Sequence, residues 1–153
     1  MNKIKLTKGK YTIVDDADFE FLNQWKWYLG GQGYAARRIW NKANKTYSGL
    51  YLHKLLLVGK EVDHINGDKL DNRRSNLRFC TRSQNQANRP KMCGNSKYKG
   101  VSFHTRDKIW NAYIRFQYKL IHLGNFKSDI QAASAYNLAA TKYFGEYAKL
   151  NPI

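Results

Sequence analysis

Cysteine, proline and acidic residues are scarce in this chain of 153 residues, which has two cysteines, two prolines and 11 acidic residues against 27 lysines and arginines. Cys80 and Cys93 form neither a CxxC pair nor a zinc set with histidine, so we predict free thiols rather than disulfides or structural zinc. The sequence has no long apolar run and no pattern typical of a signal peptide, so we expect no membrane partner. Free thiols indicate a reducing cytoplasm, and a length of 153 residues predicts one or two small domains.

The positive charge is large and concentrated. The formal net charge is +16 and the isoelectric point is about 9.9, which indicates a polyanionic partner. Residues 72–127 contain 13 basic residues and one acidic residue, Asp107. Aromatic residues are interleaved with them, at Phe79, Tyr98, Phe103, Trp110, Tyr113, Phe116 and Tyr118. This pattern favours a folded nucleic-acid surface over a disordered basic tail.

The residues suited to chemistry are concentrated in one stretch of short motifs. These are Val62-Asp63-His64-Ile65-Asn66-Gly67-Asp68, Asn76-Leu77-Arg78 and Thr81-Arg82-Ser83-Gln84-Asn85. Phosphodiester hydrolysis needs an activated water, a Lewis acid on the phosphate and a scaffold that aligns them. Asp63 offers a hard oxygen ligand for Mg²⁺ or Mn²⁺, and Asn85 offers a second, neutral oxygen. As a neutral imidazole, His64 can accept a proton from the attacking water near neutral pH.

The same stretch predicts a strand, a loop, a second short strand and a helix. The side chains of Asp63 and His64 would point to opposite faces of a regular strand, so we expect the strand to end or twist there. Asn66-Gly67-Asp68 supplies the turn residues that allow this. Thr81 followed by Gln84 forms a capping box, which predicts that a helix begins here and carries the last motif.

These motifs resemble the HNH endonuclease family, in its homing-endonuclease branch. The resemblance implies a ββα-metal centre in which Asp63 is a metal ligand, His64 is the general base and Asn76 braces the loop. Asn85 matches the last motif position, which is histidine in many members and asparagine in some, so the departure softens the metal site without removing it. His53 resembles an upstream segment of the family and is a candidate for contacting phosphate, with a plain position on a helix surface as the alternative.

A different pattern begins near residue 98, where alternating strands are followed by a helix. We predict strands at Tyr98–Phe103, Trp110–Phe116 and Leu120–Gly124, and a helix that is capped by Ser128 and ends at Gly145. The stretch also carries Tyr98, Gly100, Val101, Trp110, Ala112, Ile114, Leu123, Gly124, Phe126, Ala132, Ala133, Ala135, Tyr136, Ala139, Ala140, Gly145, Leu150 and Asn151. Through these residues it resembles the DNA-binding domain of plant ethylene-response factors, which implies a three-stranded antiparallel sheet backed by one helix. In that family the sheet enters the major groove.

The charge and the two resemblances together indicate which residues contact DNA. Around the nuclease centre these are Arg73, Arg74, Arg78 and Arg82, and in the second module they are Lys99, Ser102, His104, Arg106, Lys108, Tyr113, Arg115 and His122. Several arginines of the plant family are replaced here, so its target sequence does not carry over. A merely solvated sheet face is the alternative. In the N-terminal region, Arg37, Arg38, Lys42 and Lys45 are candidates to extend the surface that binds DNA.

The remaining segments carry less information. Tyr11–Val14 predicts a strand and Asp15–Asp18 the start of a helix whose acidic residues suit the helix dipole. Apolar residues that we expect in the N-terminal core are Phe19, Leu22, Trp25 and Trp27. We predict a sheet-and-helix region over residues 1–60, the nuclease centre over 61–89, a linker over 90–97 and the DNA-binding domain over 98–151.

The sequence thus predicts an α+β protein that is a metal-dependent endonuclease of duplex DNA and needs no obligate protein partner. The resemblance points to phages or mobile introns, and a phage-encoded protein would act in the cytoplasm of its bacterial host. One centre per chain predicts a single-strand nick, and a double-strand break would need a dimer or a second event. A DNA-binding regulator with a vestigial nuclease centre is the main alternative, and an RNA-binding accessory protein has the same charge signature.

Overall fold

The computed structural model describes residues 1–91 and 94–153, so the prediction of a free thiol at Cys93 lies outside the described residues. The chain forms two compact units, Met1–Thr81 and Arg82–Ile153, built from helices and antiparallel sheets. The predicted α+β class is confirmed, whereas the division into four segments stays a prediction. Cys80 is a free cysteine, and burial raises the pKa of its thiol to about 11. No helix in the described ranges is long and apolar enough to cross a membrane.

The first unit combines small antiparallel sheets with short helices. Its elements are β1 (Asn2–Lys5), β2 (Tyr11–Val14), α1 (Asp16–Asn23), β3 (Tyr28–Leu29), β4 (Ala35–Asn41), β5 (Thr46–Tyr51), α2 (Leu52–Leu56), β6 (Glu61–His64) and β7 (Leu77–Cys80). β1 pairs with β2, β6 pairs with β7, and β3, β4 and β5 form one sheet in that order.

Local sequence explains the start of this unit. In β2 the buried residues are Thr12 and Val14 and their neighbours are more exposed, which is the alternation of a strand with one buried face. α1 begins at Asp16, and its acidic first turn interacts favourably with the helix dipole, as predicted. The predicted core residues Phe19, Leu22, Trp25 and Trp27 all belong to the hydrophobic core of the unit or pack against it.

The second unit contains the predicted three-stranded sheet and its helix. Its elements are α3 (Arg82–Asn88), β8 (Val101–His104), β9 (Ile109–Phe116), β10 (Lys119–Phe126) and α4 (Asp129–Phe144). β9 lies between β8 and β10 in an antiparallel sheet, and α4 shares its core. The hydroxyl of Ser128 accepts a hydrogen bond from the backbone N–H of Gln131 at 3.2 Å, and α4 ends before Gly145, whose φ is +54°. Both predicted ends of this helix are confirmed.

The first strand of this sheet begins later than predicted, at Val101 instead of Tyr98. Gly100 has a φ of +73°, and a Cβ atom there would lie 2.1 Å from the ring of Tyr136. The chain therefore turns sharply at this glycine and lets the backbone approach the helix. Tyr98, which we expected on the strand, is instead buried beside Val101 in the core.

Candidate active site

The hairpin formed by β6 and β7 positions the two residues that carry the predicted chemistry. Asp63 and His64 are the last residues of β6 and lie opposite Arg78 and Leu77 of β7. The strand ends at His64, as the sequence predicted. Both side chains are buried, with 6% exposure for Asp63 and 4% for His64. A buried carboxylate beside a buried imidazole needs specific partners.

A chain of hydrogen bonds determines which nitrogen of His64 carries the proton. The Thr12 hydroxyl donates to the carbonyl of Leu70 at 2.8 Å, so it accepts the bond from Asn72 Nδ2 at 2.8 Å. That contact fixes the orientation of the Asn72 amide, and its Oδ1 lies 3.2 Å from His64 Nε2. Because Oδ1 only accepts, neutral His64 holds its proton on Nε2. Nδ1 is then the nitrogen with a lone pair for a proton from water.

Sequence reasoning missed Asn72 and Thr12. Asn72 is 1% exposed and Thr12 is fully buried, although they are 60 positions apart. The available signal was a threonine at an inward position of β2 and an amide within the polar loop. Neither signal identifies its partner, because the contact depends on how β2 and the loop meet. Hydrogen bonds from Ile13 N to Leu70 O and from Asn72 N to Ile13 O, both of 2.8 Å, make that connection.

Aromatic side chains enclose the imidazole of His64. The ring centroid of His53 lies 5.2 Å from that of His64, and the centroid of Tyr34 lies 5.8 Å from it. The ring of Tyr51 stacks on His53 at 5.6 Å. His53 is 5% exposed, so the interpretation that placed it on a helix surface is wrong. Burial is the main cause that lowers the pKa of His64 below its ordinary value, which favours the neutral form that a general base requires.

His53 makes the stability of the fold depend on pH. Burial, followed by His64 and Lys54, lowers its pKa from 6.5 to about 4, so the unfolded chain binds more protons between these values. The contribution to stability is complete above pH 6.5 and is lost as the pH falls towards about 4. We expect the free energy of unfolding to decrease by up to about 3 kcal/mol across this window.

Urea unfolding of the full chain at both ends of the window measures this decrease. His53→Phe keeps a ring in the site and should reduce the pH dependence. Equal pH dependence in the wild type and in His53→Phe would contradict the account.

The Asp63 carboxylate lies beside a cation. Arg78 donates to Asp63 Oδ2 from Nε at 3.1 Å and from Nη2 at 2.9 Å, and the Arg78 side chain is 11% exposed. We predicted that Arg78 contacts DNA, and the structure places its guanidinium on the carboxylate. In the two described ranges no cluster of three or more His, Cys, Asp or Glu residues could hold a metal ion. Asn85 lies on α3, in the other unit, so its pairing with Asp63 stays a prediction.

Asn76 makes hydrogen bonds across the loop that the family resemblance assigns it to brace. Its Nδ2 donates to the carbonyl of Asp71 at 2.8 Å and to Asn66 Oδ1 at 3.0 Å. Its Oδ1 accepts from the backbone N–H of Asn66 at 3.0 Å, and its carbonyl accepts from Ile65 N at 2.9 Å. Asn76 thus joins both ends of the loop between β6 and β7 and keeps the end of β6 in place.

Arg73 and Arg74, which we predicted to bind DNA, have carboxylate partners within the first unit. Arg73 donates to both oxygens of Asp71 at 2.7 and 2.6 Å, and these bonds are the main cause that lowers the pKa of Asp71. Arg74 donates to both oxygens of Asp18 at 2.8 Å. Both arginines therefore stabilise the loop, and their contact with DNA stays a prediction.

In the second unit, the strand register divides the predicted DNA contacts. Residues that share the sheet face opposite the core are Ser102, His104, Tyr113, Arg115 and His122, whereas Arg106 and Lys108 lie in the turn between β8 and β9. His104 Nδ1 lies 3.2 Å from Asp107 Oδ2, and His122 Nε2 lies 2.9 Å from Asn125 Oδ1. Arg82 begins α3.

The prediction that Lys99 lies on this sheet face is wrong. Lys99 precedes β8, and its ammonium group donates to the carbonyl of Ala87 and, at 2.7 Å, to that of Arg89. Carbonyl groups at the end of α3 have no partner within the helix, and the lysine satisfies them. Burial lowers the pKa of Lys99 to about 8.

Asp63 and His64 are thus consecutive residues at the end of an antiparallel hairpin in a strongly basic chain. Residues 58–87 match the HNH endonuclease family. Over 152 residues the chain is 32% identical to an HNH endonuclease of Acanthamoeba polyphaga mimivirus that is described as uncharacterized, and the match covers 95% of this chain and 77% of that relative. The chain belongs to the HNH endonuclease family and is a hydrolase of DNA phosphodiester bonds.

A second group of relatives matches a smaller part of the chain. An ethylene-responsive transcription factor of Arabidopsis thaliana is 40% identical over 60 residues, which are 38% of this chain and 14% of that protein. An AP2-like ethylene-responsive transcription factor of the same plant is 39% identical over 56 residues, or 37% and 12% of the two chains. The chain spans about one seventh or less of the length of these plant proteins.

Proposed function

We propose that this protein is a metal-dependent endonuclease that hydrolyses duplex DNA with His64 as its general base. One observation carries the proposal. The bonds from Asn72 to His64 and Thr12 place the proton of neutral His64 on Nε2, so its Nδ1 carries the lone pair in the residue next to Asp63. A base that is neutral and held in one tautomer is what activation of a water molecule requires.

Asp63 and Asn85 are the residues that we propose to hold a divalent ion. A carboxylate and an amide oxygen are hard donors, which fit Mg²⁺ or Mn²⁺ better than Zn²⁺. With two protein ligands, a bound ion would keep coordination positions for phosphate oxygens and water. When bound, the ion supplies a Lewis acid that stabilises charge on the phosphate and on the departing 3′ oxygen.

The side chains of the first unit then have separate roles. Nδ1 of His64 accepts the proton of the attacking water, while Asn72 keeps the other ring proton on Nε2. Tyr34 and His53 exclude solvent from the imidazole. Asn76 fixes the loop through its bonds to Asn66 and Asp71, so the carboxylate and the imidazole keep their spacing during the reaction.

We further propose that the second unit reads DNA in the manner of the ethylene-response-factor domain that it resembles. The three-stranded sheet backed by α4 supports this proposal, as do the matches to two plant transcription factors. Arg115 and Tyr113 lie on the sheet face opposite the core. An arginine on such a face can make bidentate contacts with guanine in the major groove.

A cleavage assay on two end-labelled duplexes of one sequence, one of DNA and one of RNA, tests the proposed substrate. Each duplex is incubated with the full chain and Mg²⁺. We expect cleavage of the DNA duplex, with discrete nicks on a sequencing gel. Binding without cleavage would favour a DNA-binding regulator with a vestigial centre. Preference for the RNA duplex at fixed salt would favour an RNA-binding accessory protein.

A further inference from the structure

The hairpin of β4 and β5 carries an aromatic pair that the core of the first unit does not use. Trp40 and Tyr47 lie opposite each other in the register, with ring centroids 4.8 Å apart. Trp40 is 46% exposed and Tyr47 is 65% exposed. Large apolar side chains clustered at a surface are a common feature of interaction sites.

The two faces of this hairpin differ. Arg37 lies on one face, where its guanidinium carbon is 3.9 Å from the ring centroid of Trp25, so this arginine is part of the packing. Arg38 lies on the other face and is exposed. It pairs with Gly49, and the next pair on the same face is that of Trp40 with Tyr47. One face therefore presents a cation and two aromatic rings together.

The same face leads to the active site. Tyr51 shares it, because Tyr51 pairs with Ala36 two residues before Arg38. The ring of Tyr51 stacks on His53, and the ring of His53 lies against that of His64. The four-residue step from Tyr51 to Tyr47 spans about 13 Å of strand, which is the length of about four base pairs.

The positive charge of this region indicates which kind of partner binds it. Residues 21–60 contain seven lysines and arginines and no acidic residue. Lys42 and Lys45 are the first and last residues of the turn of the hairpin. A basic ribbon of two strands fits the width of the DNA major groove, whereas an exposed apolar pair alone would suit many partners.

We propose that the hairpin of β4 and β5 is a DNA-docking ribbon whose Arg38, Trp40 and Tyr47 face lies against duplex DNA next to the scissile phosphate. This inference rests on the proposed function, since it assigns the ribbon to the substrate of the same site. Under this proposal the two neighbouring arginines have different roles. Arg38 contacts DNA, whereas Arg37 packs on Trp25 and holds the ribbon in place.

Binding of a labelled duplex by the full chain without divalent ions tests the ribbon apart from catalysis. Arg38→Gln should weaken affinity roughly 5- to 100-fold and reduce the slope of log affinity against log salt by about 0.9 if it contacts a phosphate. Trp40→Ala combined with Tyr47→Ala should also weaken binding. Two control variants should bind as the wild type does: Lys5→Gln removes an exposed charge from β1, and Ser48→Ala alters the other face of the ribbon.

Ultraviolet crosslinking of the wild-type chain to the duplex gives a second measurement that does not depend on how the variants fold. We expect crosslinked peptides that contain Trp40 or Tyr47. If Arg38→Gln binds like Lys5→Gln, or crosslinks map only to other peptides, the ribbon proposal is overturned even if cleavage is observed. If the wild type binds through the ribbon and never cleaves, DNA docking by the ribbon stands, whereas its place beside a scissile phosphate falls with the nuclease proposal.

Discussion

His64→Ala should bind duplex DNA as tightly as the wild type and cleave it roughly 10²- to 10⁴-fold more slowly, which is the usual contribution of a general base. The variant removes the ring whose Nδ1 accepts the proton and leaves the Asp63 carboxylate in place. Single-turnover cleavage at saturating DNA, with binding measured on the same duplex, separates the two effects.

A matched variant tests the tautomer that the structure assigns. Asn72→Leu keeps the imidazole and a side chain of similar size but removes the acceptor at Nε2. Its neutral His64 can then carry the proton on either nitrogen, so the cleavage rate should lie between those of the wild type and His64→Ala. Thermal unfolding checks that each variant folds. A wild-type rate in His64→Ala would remove this residue from the reaction.

Asp63→Ala should abolish cleavage that depends on Mg²⁺, because it removes the one charged ligand that we propose for the ion. The substitution also leaves Arg78 without the carboxylate that accepts its two bonds. Removing one partner of a buried pair costs about 3–5 kcal/mol, so loss of the fold is a competing explanation for inactivity.

Asp63→Asn separates these explanations. The amide has nearly the same volume and offers Arg78 an oxygen acceptor, but it carries no charge for the ion. We expect Asp63→Asn to fold and to cleave at the background rate, with DNA binding retained. Cleavage by either Asp63 variant at the wild-type rate in Mg²⁺ would contradict the assignment.

Patterns carried by neighbouring residues predicted much of the fold. Ser128 and Gly145 mark the ends of α4 because capping depends on a few residues at each helix end. The strand at Tyr11–Val14 was predicted correctly because the residues of the segment itself, aromatic or β-branched, favour strands. The order of Asp63, His64 and Asn76 identified the hairpin that contains the site, since the spacing of the motifs reflects one local unit.

These local patterns could not predict contacts between segments that are distant in the sequence. No local rule connects Thr12 to Asn72 or places His53 against His64, because both contacts depend on how separate elements pack. Lys99 was misplaced for a related reason. Its position within the predicted strand Tyr98–Phe103 suggested a charge on the DNA-binding sheet face, whereas the unsatisfied carbonyls at the end of α3 provide its partners.

Conversion of supercoiled plasmid DNA to the nicked form by the purified full chain tests the central claim most directly. The assay is run with Mg²⁺, with a chelator, and with Mg²⁺ restored after chelation, for the wild type beside His64→Ala. The account predicts nicked circles with Mg²⁺, none with the chelator, recovery when Mg²⁺ is restored, and almost none from His64→Ala. Nicking that persists in the chelator, or that His64→Ala performs as well as the wild type, would contradict it.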